Sequence, residues 1–139
     1  MSGVIALDVG EVRVGVARGE RGSSFVFGRG FFRRGTQQED VETVRRLLEQ
    51  ERATLVVIGL PTRHDGGDSK QTQRVRAFAR ALQAADIETV FEDERFTTRL
   101  AAQDMLSSGV SKKKRREKGR LDEAAAVRIL ESYLARQGP

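Results

Sequence analysis

The chain has 139 residues, 25 of them lysine or arginine against 20 aspartate or glutamate, for a net charge of +5. That length suits a single domain, 1–139, able to bury about two thirds of the surface its unfolded chain exposes. With no cysteine and one histidine, disulfides, thiolate metal sites and histidine-rich zinc sites are excluded, so any metal is held by oxygen, which suits Mg2+ or Mn2+.

Val4 to Asp8 is a short apolar run ending in an acid, followed by Gly10, and reads as a buried strand. Val12, Val14 and Val16 alternate with Arg13, Gly15 and Ala17 as a second strand, joined to the first as a hairpin through Gly10-Glu11. Ser23 to Arg33 reads as a third strand with a bulge near Gly28-Gly30. Its Phe25, Phe27, Phe31 and Phe32 are expected in the core rather than as stacking platforms for nucleic acid. From Gln38 to Arg52 the apolar residues Val41, Val44, Leu47 and Leu48 fall at helical spacing. Thr54 to Leu60 is continuously apolar and β-branched, as in a strand buried on both faces.

Pro61 to Ser69 is a turn-rich loop. Val75, Phe78, Ala79 and Leu82 mark a second helix, and Ile87 to Phe91 another strand, which leads into Glu92-Asp93-Glu94-Arg95. Thr97-Thr98 is placed to cap a helix through Leu106. Ser107 to Arg120 is polar and basic. A last helix is expected from about Asp122 to Ala135, with Ala126, Val127, Leu130, Tyr133 and Leu134 as its apolar stripe. Three meandering strands followed by alternating helices and strands predict an α/β fold with a five-stranded mixed sheet flanked by helices.

In that arrangement Asp8 and Glu94 both follow apolar runs at one end of the sheet. Asp122 continues the buried stripe of the last helix. Each acid alone has an ordinary account: a turn for Asp8, an ion pair with Arg95 or Arg99 for Glu94, an N-cap for Asp122. Taken together, three converging carboxylates repel one another, and their pKa values rise unless a cation intervenes. Paired cations about 3.5–4 Å apart can clamp the attacking and leaving oxygens of a phosphodiester. The pattern therefore describes a candidate metal-dependent nuclease centre, with the three acids as catalytic and metal-binding residues.

Four segments carry a resemblance. Ala6-Leu7-Asp8-Val9-Gly10, continuing through Arg13-Val14-Gly15-Val16-Ala17, is similar to a D-x-G-x-x-R-x-G-V-A opening. Val57-Ile58-Gly59-Leu60-Pro61 with Asp65-Gly66 resembles V-G-L-P…D-G. Asp93-Glu94-Arg95-Phe96-Thr97-Thr98 resembles D-E-R-L/F-[ST]-T. Leu121-Asp122 through Leu134 resembles D-x-x-A-A-x-x-I-L-x-x-Y-L. In this order, the motifs resemble the YqgF family, also called RuvX, which are Holliday-junction-resolvase-like nucleases with a ribonuclease H-like fold. The resemblance implies that Asp8, Glu94 and Asp122 bind Mg2+ or Mn2+. The implied substrate is branched DNA or precursor ribosomal RNA. Glu11 departs from the family, which usually has threonine or serine there.

The densest charge run is Lys112, Lys113, Lys114, Arg115, Arg116, Lys118 and Arg120, leading into Asp122. It reads either as a solvated loop or as a phosphate-binding segment, and the second is favoured by its place beside the proposed centre. Arg13 and Arg95 are further candidates for binding the nucleic-acid backbone. His64 and the Asp65-Gly66-Gly67-Asp68 stretch read as loop residues rather than catalytic ones. The pI near 10.2 agrees with a polyanionic partner. The chain lacks a long apolar run and a signal-peptide pattern, so no membrane partner and a cytoplasmic location are expected. The expected activity is a metal-dependent endonuclease on structured nucleic acid. A non-catalytic nucleic-acid-binding or ribosome-assembly module is the alternative, and an ATP-binding phosphotransferase a more distant one. Symmetric junction cleavage would call for a homodimer.

Overall fold

The structure is a computed structural model that describes residues 3–61, 69–94 and 114–138. Five strands form one sheet: β1 (Gly3–Val9), β2 (Arg13–Glu20), β3 (Val26–Arg33), β4 (Ala53–Leu60) and β5 (Thr89–Asp93), in the order β3-β2-β1-β4-β5. β1, β2 and β3 are antiparallel neighbours, whereas β4 and β5 run parallel to β1. The described helices are α1 (Gln37–Glu51), α2 (Lys70–Ala84) and α3 (Lys114–Gln137). The expected helix over 97–106 lies outside the described residues.

Side-chain alternation along the central strand divides the core in two. Ile5, Leu7 and Val9 point to the face covered by α1 and α2, where they meet Val44, Val75, Phe78 and Leu82. Val4 and Ala6 point to the other face and meet Ala126, Ile129, Leu130 and Leu134 of α3. The sheet is thus buried on both faces at β1 and β4, which explains the unbroken apolar run of Leu55 to Ile58. Full burial of a side chain such as Leu130 contributes roughly 2–3 kcal/mol.

Local signals set the element ends. Thr36 caps α1 with its hydroxyl on the Glu39 amide, and the Glu39 carboxylate returns to the Thr36 amide, a reciprocal capping box. Arg52 closes α1 in the left-handed region at φ 53°. Between Gly15 and Ala17 of β2, the facing strand β3 has an extra residue, and Gly30 takes φ 76° there. This is the expected glycine bulge.

Two expectations fail. The last helix does not begin near Asp122 but at Lys114, so five of the seven residues of the basic run fall in its first two turns. Lysine, arginine and glutamate are good helix formers, and charge density alone does not break a helix. Gly119 sits inside it because the Phe31 ring lies where its side chain would be. The phenylalanines of the third strand are not core residues as a group. Phe25, Phe27 and Phe31 are 72%, 53% and 43% exposed, and Phe32 alone packs against the α1/α2 side. β3 is an edge strand, and the bulge reverses which side its rings face.

Candidate active site

The period-two alternation that sends Val4 and Ala6 toward α3 sends Asp8 the same way, at the carboxyl end of β1. Its antiparallel partner is Gly15. There the backbone of α3 presses onto the sheet: a Cβ at Gly15 would lie 2.0 Å from the Asp122 carbonyl oxygen. Position 15 must therefore be glycine for α3 to bring Asp122 over the β1–β2 ladder. Glu94 follows β5 by one residue and repeats the direction of Val90 and Glu92. Its Oε1 would be 2.9 Å from a Cβ at Gly59, so a second glycine clears room for the second acid.

Asp8 lies within electrostatic reach of both Glu94 and Asp122. Burial pushes the Asp8 carboxyl up to about 8, and the negative charges of Glu94 and Asp122 add to the effect. Burial also raises Asp122, against the opposing pull of its bond to Arg13 and the positive charges of Arg13 and Lys118. Arg13 Nε donates to Asp122 Oδ2 at 2.9 Å, with both side chains about one-fifth exposed. Among the described residues, no three acidic or imidazole side chains gather closely enough to hold an ion as they stand. The Arg13 guanidinium occupies one oxygen of Asp122 in this arrangement. The donor set nevertheless suits a hard cation. It is all oxygen, and a buried carboxyl with two acidic neighbours has an electrostatic deficit that a divalent ion would remove.

The other candidates separate. Arg13 belongs to the site, and Lys118 is close enough to act on Asp122. Arg120 is exposed on α3. Arg95, Lys112 and Lys113, the side chains of Lys114, Arg115 and Arg116, and the segment holding His64, Asp65 and Asp68 lie outside the described residues. Glu11 is turned away: it pairs with Arg74 of α2 at 3.2 Å, on the far side of the sheet from α3.

Several positions were not singled out from sequence. Gln71 Nε2 donates to the Val9 carbonyl at 2.7 Å, tying α2 to the end of β1. Glu123 accepts from the Gly30 amide at 2.6 Å, fastening α3 to the bulge. Glu92 is buried and accepts from Ser132 Oγ at 2.6 Å, with Arg136 at 3.5 Å, which ties β5 to α3. The one available sign was an acid in phase with Glu94 on a short strand.

The sheet order, the antiparallel entry and the acid on its central strand define a ribonuclease H-like fold of the resolvase type. Thermus thermophilus RuvC in complex with a Holliday junction superposes with a TM-score of 0.52 at 14% identity, over 99% of this chain and 97% of that one. The Fowlpox virus resolvase bound to junction DNA gives 0.52 at 11% identity, over 99% of both chains. The family model for RuvX, described as Holliday junction resolvase, matches residues 2–136, and the chain belongs to that family. A Thermus thermophilus relative named "Putative pre-16S rRNA nuclease" is 46% identical over 94% of this chain and 96% of its own length. Ribonuclease YqgF of Deinococcus radiodurans is 39% identical over 96% and 88%.

Proposed function

We propose that this protein is a divalent-metal-dependent endonuclease acting on structured nucleic acid, with precursor ribosomal RNA as its first substrate. The observation that carries the reading is the buried Asp8 at the carboxyl end of β1, with Asp122 set over its ladder partner Gly15 and the charges of Glu94 and Asp122 both acting on it. The names of its relatives favour that substrate, and such a substrate agrees with a cytoplasmic location.

Asp8, Glu94 and Asp122 are the residues that would hold Mg2+ or Mn2+. A cation bound there would neutralise charge on the attacking and leaving oxygens of the phosphodiester. Arg13 orients Asp122 and opposes the upward push that burial gives its carboxyl. Lys118 and the neighbouring basic residues of α3 draw the phosphate backbone toward the site without reading sequence.

The test is a cleavage panel of pre-rRNA fragments, four-way junctions, flaps and single strands, with Mg2+, Mn2+ or chelator. Metal-dependent scission that disappears in Asp8→Asn, with folding retained, is the expected result. Binding with a steep salt dependence but no scission of any substrate would replace the enzyme with a nucleic-acid-binding module. Cleavage of four-way DNA junctions is the second reading, favoured by the description of the family model. It requires two copies acting on one junction, so a protein that stays monomeric on the junction would remove it.

A further inference from the structure

Glu92 is 1% exposed, a buried acid on the face of the sheet that carries Asp8 and Glu94. It is the ladder partner of Gly59, one residue past the pair of Leu7 and Ile58. It therefore stands level with Asp8, two strands and roughly 10 Å away. It is not placed as a further metal ligand. Its Oε2 accepts from Ser132 Oγ at 2.6 Å and lies 3.5 Å from Arg136 Nε, and the acids whose charges act on Asp8 are Glu94 and Asp122.

Stability alone does not call for a carboxylate there. Burying one is costly unless its partners offset it, and an apolar side chain of the same size often does as well. What the carboxylate adds is direction. Apolar contact tolerates sliding, whereas a bond of 2.6 Å fixes distance and angle. The apolar stripe of α3 is seated on Val4, Ala6, Ala17, Leu55 and Val57 of β1, β2 and β4, and from β5 only the partly buried Val90 joins it. The strand that leads into Glu94 is thus tied to α3 chiefly through Glu92.

That tie bears on one place. Glu94 follows the last ladder pair of β5, Asp93 with Leu60. Its carboxylate turns back over Gly59, the partner of Glu92. The Ile129 side chain fills the rest of the space above Gly59. Ile129 and Ser132 are three residues apart on α3, hence neighbours on its surface. The bond from Ser132 to Glu92 accordingly sets how far the Ile129 turn stands from β5, and with it the width of the slot in which Glu94 lies.

We propose that Glu92 is a positioning residue: held by Ser132 and Arg136, it fixes the end of β5 against α3 and so keeps the Glu94 carboxylate over Gly59, within reach of Asp8. The proposal deepens the nuclease reading and rests on it for the cation that Asp8 and Glu94 would share. The placement of Glu94 is a separate matter and can be tested without metal.

Three variants make the test. Glu92→Met fills the space without the bond, Ser132→Ala removes the donor, and Glu92→Gln keeps an acceptor for Ser132. Mn2+ affinity is measured by calorimetry, folding by urea unfolding in chelator, and cleavage as kcat and KM on the substrate that the wild type cuts. Glu92→Met and Ser132→Ala should weaken Mn2+ binding by about tenfold to a hundredfold, the usual loss when a residue supporting a metal ligand is changed. At saturating Mn2+ kcat should still fall, since misplacing a catalytic group by about 1 Å costs up to about a hundredfold, while KM for the nucleic acid stays the same. Glu92→Gln should recover most of both losses. Unchanged Mn2+ affinity and kcat in folded Glu92→Met overturn the proposal; if that variant does not fold, unchanged values in Ser132→Ala do so. A loss in Glu92→Gln as deep as in Glu92→Met also overturns it, because the charge and not the bond would then be at work. If the wild type neither binds Mn2+ nor cuts, the nuclease reading falls, and a metal-free crystal structure of Ser132→Ala decides this one. Glu94 displaced from above Gly59 keeps the proposal, and Glu94 still in place removes it.

Discussion

The main chain of Asp122 rests on Gly15, and Gly15 is the ladder partner of Asp8. This contact, with no side chain between helix and sheet, joins an acid at the start of the chain to one near its end. Gly15→Ala would place a Cβ 2.0 Å from the Asp122 oxygen and 2.2 Å from its carbonyl carbon. Backbone cannot rotate aside, so α3 must lift. A loss of about 1–3 kcal/mol is expected, measured by urea unfolding. Cleavage should fall further than stability predicts, because the lift separates the acids.

Asp8 makes the metal-free protein sensitive to pH. Its carboxyl titrates near 8 when folded, against an ordinary 3.8. Between those values the folded state binds the extra proton, so folding stability declines as pH rises from about 4 to about 8. Asp122, also raised, acts in the same direction. Thermal unfolding across this range in chelator should show the decline, and Asp8→Asn should flatten it while abolishing cleavage. A pH-independent melting temperature in the wild type would contradict the burial of Asp8.

Metal should reverse that penalty. Binding to the folded state stabilises by mass action, about 2.7 kcal/mol at a hundredfold excess over Kd. Mg2+ or Mn2+ should raise the melting temperature most near pH 8, where Asp8 is otherwise strained by its neighbours. The shift should vanish in Asp8→Asn and on adding chelator.

Arg13→Ala leaves the half-buried Asp122 carboxylate without the guanidinium 2.9 Å away. A cost of about 1–3 kcal/mol is expected, with a further rise in the Asp122 pKa readable by NMR titration. Arg13→Ala combined with Asp122→Asn should cost less than the sum of the two single changes.

Thr36→Ala serves as the contrast. It removes the α1 cap, in which Thr36 Oγ1 is 3.1 Å from the Glu39 amide. About 1 kcal/mol of stability should be lost, with cleavage unchanged, because this end of α1 belongs to the opposite face of the sheet.

Much of this was legible in the chain. Alternation and helical spacing located β1, β4, α1 and α2 because burial selects residue type directly there. The bulge announced itself through Gly28 and Gly30. The helix start near Asp122 misled because the basic residues before it favour a helix that Gly119 does not break. The phenylalanines misled because hydrophobicity signals burial only if something covers the strand, and β3 lies at an edge. Which strand becomes an edge depends on pairings that no local pattern contains.

The sequence by itself determined the oxygen-only chemistry, the strand that carries Asp8 and the family to which the motifs belong, since each follows from residue identity and short-range order. Only the tertiary structure decided that Arg13 holds Asp122, that Gly15 and Gly59 make room for the acids, and that Glu11 faces away. Those outcomes come from packing between segments as much as 109 residues apart, where steric exclusion and charge act through space and not along the chain.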